Sequence, residues 1–233
     1  MSFSGRLTGT FFDPGRTFKG IAERPIWVDV LIVLLILISL YTYLIFPFGQ
    51  KDSLRSLEDN AAKLKAKWGE SRYASYLERI RGQDRSLTAF LVTPLTYLIG
   101  FLFSGLIILG MGRLVSTQGS YLQVFSSLLH ANLVDKLLGN GLRLFLIAGR
   151  KSVLETSTGL PVFFPKLDIM STAYALLGQV DLFQLWTFCL FGIGLAATFK
   201  ISLKKGLVIS FAFWLLKSGL ALALLMLRTR QIQ

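Results

Sequence analysis

Apolar residues in this chain fall into runs of about twenty or more, the length at which an α-helix rising 1.5 Å per residue crosses roughly 30 Å of hydrocarbon. Four such runs cover residues 26–48, 87–112, 181–199 and 207–227, and a fifth, more polar one covers 121–149. Composition agrees: 53% of residues are hydrophobic and 16% charged, against about 25% charged in a soluble domain. The expected fold class is therefore an all-α membrane protein. Its form is a five-transmembrane-helix bundle with interfacial amphipathic helices and a helical extramembrane loop.

Residues 1–25 form a basic segment in which Phe3, Leu7, Phe11, Phe12, Phe18 and Ile21 alternate with charged side chains, broken by the turn signal Asp13-Pro14-Gly15. Two short amphipathic helices at the membrane surface are expected there. The membrane domain, 26–228, begins with a span flanked by Trp27 and by Tyr41, Tyr43 and Phe46, as interfacial aromatics are. Pro47 is expected to end that span. Residues 49–87 are the one long hydrophilic stretch, with apolar residues at helical spacing on either side of Gly69. They read as a helical hairpin or a pair of surface helices, solvated or docking a partner. Span two carries Gly100, Gly105, Gly110 and Gly112, which favours close helix packing. The loop 150–180 contains a short apolar piece, 169–177, that is too short to cross.

The segment 121–149 contains His130, Asn132, Asp135, Lys136, Asn140 and Arg143. Either residues 121–132 lie at the interface and 133–149 cross, or the whole segment crosses with its polar side facing other helices. Unpaired charge in hydrocarbon costs several kcal/mol, which favours the first. In span five Lys217 lies ten residues from each end of 207–227, about 15 Å deep. Asp135 is its leading expected partner and Asp29 the second. Lys217, Asp135, His130 and Lys136 make up the candidate intramembrane polar site, which reads as an ion or substrate path, as a buried structural pair, or as a lysine whose stem snorkels towards the surface.

The 25 Lys and Arg outnumber the 13 Asp and Glu, for a net charge of +12, but they sit in loops rather than on one basic stripe, so nucleic acid is not an expected partner. The short link 200–206 has three lysines and no acid. By the positive-inside rule it faces the cytoplasm. That places the N-terminus inside, and the loops 49–87 and 150–180 outside together with the Arg228/Arg230 tail. One cysteine, Cys189, and one histidine exclude an intrachain disulfide and a His- or Cys-based metal centre. No nucleophile–base pattern or phosphate-binding glycine loop is present, so neither an enzyme nor a cofactor is expected.

Asp181-Leu182-Phe183-x-Leu185-Trp186, Leu190-x-Gly192-Ile193-Gly194-Leu195 and Lys200-x-Ser202-x-Lys204-Lys205 follow one another in a stretch that resembles the hallmark segment of bacterial Yip1-domain proteins. Phe12-x-Pro14-x-x-Thr17-Phe18-x-x-Ile21 before Arg24-Pro25, and Gly119-Ser120-Tyr121-x-Gln123-Val124, are similar to other parts of the same family. The resemblance covers most of the chain outside 49–87. It implies a five-span bundle in the cytoplasmic (inner) membrane with a cytosolic N-terminus. Eukaryotic members act in vesicle trafficking and contact Rab-type GTPases through a longer N-terminal region. Some bacterial members accompany ABC-type exporters, permease and ATPase, with a periplasmic adaptor. The motif residues carry no assigned chemistry. Physically, Asp181 reads as an N-cap, and Lys204 and Lys205 as cations beyond the end of the same helix. The expected function is a non-catalytic membrane protein that contacts lipid and either joins another membrane protein, such as an ABC exporter, or self-associates. A small-solute or ion transporter, and a membrane-trafficking or membrane-organising factor, are the alternatives.

Overall fold

The computed structural model of the protein describes residues 1–83, 87–154, 156–167 and 171–232, leaving aside the side chains of 87–90 and 228–232. The start of the apolar piece at 169 and the side chains of Arg228 and Arg230, named above, lie outside the described residues. Among the described residues four helices are long and apolar enough to cross a membrane: Val28–Asp59, Leu91–Arg113, Leu182–Phe199 and Leu203–Leu227. The expected third span is not one of them. It consists of α7 (Tyr121–Leu133), a π-helical segment (Val134–Gly139) and α8 (Asn140–Arg150), which follow one another without a break.

Helix α7 is the centre of the bundle. Every residue from Val124 to Ala131 is buried, enclosed by α2 (Pro14–Glu23), α3 (Val28–Asp59), α6 (Leu87–Arg113) and α10 (Leu182–Phe199). An interfacial helix would keep one face in water, so the expectation that 121–132 lies on the surface is corrected. Its start is built by a capping box: the Ser120 hydroxyl accepts from the Gln123 backbone N–H, and the Ser120 N–H donates to the Gln123 side chain at 2.7 Å. The Gln123 amide then donates to the carbonyl of Ala22 at 2.6 Å, satisfying a carbonyl that the end of α2 leaves free. One residue pair thus starts α7 and anchors the end of α2.

The N-terminal segment does form two short helices, α1 (Phe3–Phe12) and α2, with Asp13 capping the second through the backbone N–H of Arg16. The apolar side of α2 covers protein. Phe18 and Ile21 are fully buried in the core, and the ring of Phe18 lies against Gly194 of α10. Arg6, 4% exposed, pairs with Asp29 at the start of α3. Charge and burial together therefore hold this segment on the bundle.

Pro47 does not end the first span, because α3 continues through it to Asp59. A proline removes one helical hydrogen bond at a cost of about 3 kcal/mol. The continuation is held on two sides. Gln50 donates to the carbonyls of Ile80 and Gln83 at 2.8 Å each, and Asp52 accepts the N–H groups of Val153 (2.7 Å) and Leu154 (3.1 Å). Beyond it α4 (Ala61–Trp68) and α5 (Glu70–Arg81) form the expected helix pair, divided at Gly69. Later in the chain, α9 (Thr172–Gly178) is a short helix that overlaps the expected apolar piece 169–177.

Helices α10 and α11 (Leu203–Ile232) form an antiparallel hairpin turned by Lys200 in the left-handed conformation. Helix α11 starts four residues before the expected span, so Lys204 and Lys205 lie on its first turn. The two backbones approach so closely that a Cβ on Gly206 would lie 2.4 Å from the Gly192 carbonyl oxygen and 2.9 Å from the Ala196 nitrogen. Backbone cannot retreat as a side chain can. We expect Gly206→Ala to lower the thermal midpoint in detergent by an amount equivalent to about 1–3 kcal/mol. Gly219→Ala on the same helix, where nothing lies within 4 Å of the added carbon, should leave it unchanged. Equal midpoints for the two variants would refute this packing.

Candidate functional site

The π-helical turn, which carries Asp135 and Lys136, packs against α10 and α3, and π-turns inside helices concentrate at functional positions. Asp135 accepts from its neighbour Lys136 at 2.6 Å and from Arg143 at 2.8 Å. Arg143 is the hub. Its Nη1 also reaches Asn140 Oδ1 at 3.1 Å, its Nη2 reaches Asp181 at 3.0 Å, and its Nε reaches the Thr158 hydroxyl at 2.9 Å. Thr158 in turn donates to Asp181. Asp181 is the expected N-cap of α10, accepting from the backbone N–H of Phe183 (2.9 Å) and Gln184 (3.1 Å). The fork of one guanidinium therefore joins the π segment, the loop at 158 and the start of α10, with the Phe183 ring 5.8 Å from its central carbon.

Lys217 does not join this network. Asp135, its expected partner, is taken by Lys136 and Arg143; Asp29, the second choice, is taken by Arg6. A residue adjacent in sequence and another on the same helical segment reach Asp135 with less ordering than a side chain from α11. Among the described residues Lys217 has no ion pair, and its Nζ lies 5.9 Å from the centroid of the Phe188 ring. The expected grouping still holds in part, since Lys217, Lys136 and Asp135 line one cavity of about 500 Å³ between α6, α7, the π segment, α10 and α11. Its apolar wall includes Phe101, Phe188, Phe191 and Phe213; Thr96, Asn132, Gln184 and Thr187 add polar atoms.

His130 stands apart. It is fully buried, its Nδ1–H donates to the Ser126 carbonyl at 2.8 Å, and it is absent from the cavity wall. The motif residues also divide. Asp181 and Phe183 belong to the Arg143 network, while Gly194 admits Phe18 and Ser127. The half-exposed Trp186 meets Phe11 edge-on with ring centroids 6.2 Å apart, and Leu182 is exposed. Lys200, Lys204 and Lys205 turn and open the helix that carries Lys217. Sequence reasoning noted Arg143 without a partner for it. Thr158 and Asp181 lie 15 and 38 residues away along the chain, and no local pattern joins them.

The Yip1 domain family model matches residues 8–225, a region that contains all of these residues except Arg6. No curated protein matches the chain, and no solved structure matches it.

Breaking a buried ion pair from one side leaves an uncompensated charge, at about 3–5 kcal/mol. Arg143→Met is expected to lower the unfolding midpoint in detergent accordingly. Arg143→Lys should recover only part of the loss, because an ammonium lacks the planar fork that serves several acceptors at once. Lys217→Met, which breaks no ion pair among the described residues, should not lower the midpoint. Similar losses for Arg143→Met and Lys217→Met would contradict the hub assignment.

Proposed function

The chain belongs to the Yip1-domain family, and from that premise we propose that it is a non-catalytic membrane protein with five crossings and a cytoplasmic N-terminus. In this proposal it works as an accessory subunit of a larger membrane complex, with an ABC-type exporter as the leading candidate. Support for a fifth crossing comes from the neighbours of its two ends. The start of α7 meets the end of α2, and the preceding Gly119 lies against Phe199 at the end of α10. At the other end, the turn after α8 meets Asp52 on the extension of α3, and Arg143 meets Asp181 at the start of α10. The segment therefore runs antiparallel to α10 along its length. The lysines at 200, 204 and 205 support the orientation.

The observation that carries the accessory reading is the hairpin beyond the first span. Tyr73 donates to the Leu57 carbonyl at 3.2 Å and Arg81 meets Glu58 at 3.2 Å, so α5 is fixed along the end of α3. This presents an aromatic pair, Trp68 and the exposed Tyr76, edge to face at 5.6 Å, with Arg79 5.6 Å from the Tyr76 ring. Trp, Tyr and Arg held in place in this way are the residue types that dominate protein interfaces.

Purification from native membranes in mild detergent, followed by mass spectrometry, tests the reading. A membrane ATPase and its permease are expected in stoichiometric amounts. The double variant Trp68→Ala/Tyr76→Ala should reduce their recovery about tenfold or more, as truncation of interface anchors does, with folded yield unchanged. Purification of a lone oligomer that carries solute across liposomes would overturn it. In a Cys189→Ser background, an impermeant maleimide applied to intact cells should label Ala62→Cys and spare Ser4→Cys; the reverse pattern would invert the orientation.

A further inference from the structure

The cavity between α6, the π segment, α10 and α11 has a charge that its own walls do not balance. Lys136, Arg143 and Lys217 are three cations in and behind it, and Asp135 and Asp181 are the two carboxylates. Both carboxylates are bound to Arg143, one of them to Lys136 as well, and none is within ion-pair distance of Lys217 among the described residues. Lys217 shares the cavity with Gln184 and Thr187 on the first two turns of α10, so it lies toward that end of the bundle, and an ammonium beside hydrocarbon there costs free energy unless something offsets it.

A second observation is independent of charge. Thr187 lines the same cavity, is 5% exposed, and its buried hydroxyl oxygen has no hydrogen-bond partner among the described residues. A buried hydroxyl without a partner costs about 1–3 kcal/mol. Both the cation and the donor lack the same thing, an oxyanion inside the cavity.

The surroundings limit what can carry that oxyanion. Beside the lining residue Ser104 on α6, Phe103 is 62% exposed, and beside Lys217 on α11, Leu216 is 55% exposed. The cavity is thus flanked by surfaces that suit acyl chains, and its own wall is largely aromatic. We propose that it binds the phosphate headgroup of an anionic phospholipid. The phosphate oxygens accept from Lys217, Lys136 and Thr187, and the acyl chains lie along the exposed apolar faces of α6 and α11. The shared chemistry is a phosphate oxyanion, and the apolar surroundings favour one attached to a lipid over a free ion. The assignment does not depend on which protein the chain accompanies.

Native mass spectrometry of delipidated protein titrated with phosphatidylglycerol, with phosphatidylcholine of the same chains, and with inorganic phosphate tests this directly. Phosphatidylglycerol is expected to bind once per chain at about tenfold lower concentration than phosphatidylcholine, whose quaternary ammonium adds a like charge beside Lys217 and Lys136, and inorganic phosphate at millimolar concentration should not displace it. Lys217→Met should abolish the preference, Lys217→Arg should keep it, and Thr187→Val should weaken phosphatidylglycerol binding with an unfolding midpoint no lower than that of the parent chain. Equal binding of the two lipids would overturn the proposal. So would a preference that survives Lys217→Met, or displacement by inorganic phosphate. If Lys217→Met fails to fold, the Thr187→Val and Lys217→Arg titrations decide.

Discussion

The guanidinium of Arg143 holds together parts of the chain that no apolar contact would bring into register. Its Nε, Nη1 and Nη2 serve four acceptor residues on three segments: Asp135 and Asn140 around the π turn, Thr158 in the loop that follows α8, and Asp181 at the start of α10. Van der Waals packing between membrane helices leaves rotation and register loosely specified, since lipid tails compete for the same surface. A fork of fixed geometry does not share that tolerance. Asp181 must reach Arg143 and still accept the first N–H groups of α10, so α10 can start in one place only. Because α10 meets α11 at Gly192 and Gly206, its position is passed on to the last helix, and Lys217 inherits its place at the cavity.

What could be read from the sequence was the information that lies within a few residues. Hydropathy located the apolar helices, Gly69 divided the outer hairpin, and Asp181 announced its own cap, because each signal and its effect are neighbours. The family-like run at Ser120 and Gln123 proves to be a capping box whose amide also reaches α2, a second role that depends on a carbonyl 101 residues away. Pro47 misled for the same reason. Locally it argues for an end, and the groups that carry α3 past it come from 80–83 and 152–154. The segment 121–133 is ambiguous in isolation, since a helix with serines, a histidine and an asparagine suits a wet interface or a satisfied core equally well. Its surroundings decide: the Ser126 hydroxyl donates to Ile26 and the His130 ring to Ser126.

The same distinction between local and distant partners explains the charge distribution. Opposite charges in a low-dielectric interior attract strongly at contact distance whatever their separation in sequence, so Lys217 with Asp135 is a sound pairing on energy alone. It neglected competition. Lys136 is adjacent to Asp135 and Arg143 two turns on, and Arg6 meets Asp29 once α1 folds back over the start of α3. Each carboxylate is claimed by a cation that needs less ordering to reach it, and each claim fixes a piece of fold. The cation left over is on a helix with a long exposed apolar face, beside a cavity with an unpartnered hydroxyl. A protein that needed Lys217 only for packing could replace it with leucine and lose nothing among these contacts. An ammonium that holds no part of the fold, set where the bundle opens towards its surroundings, belongs to whatever enters there.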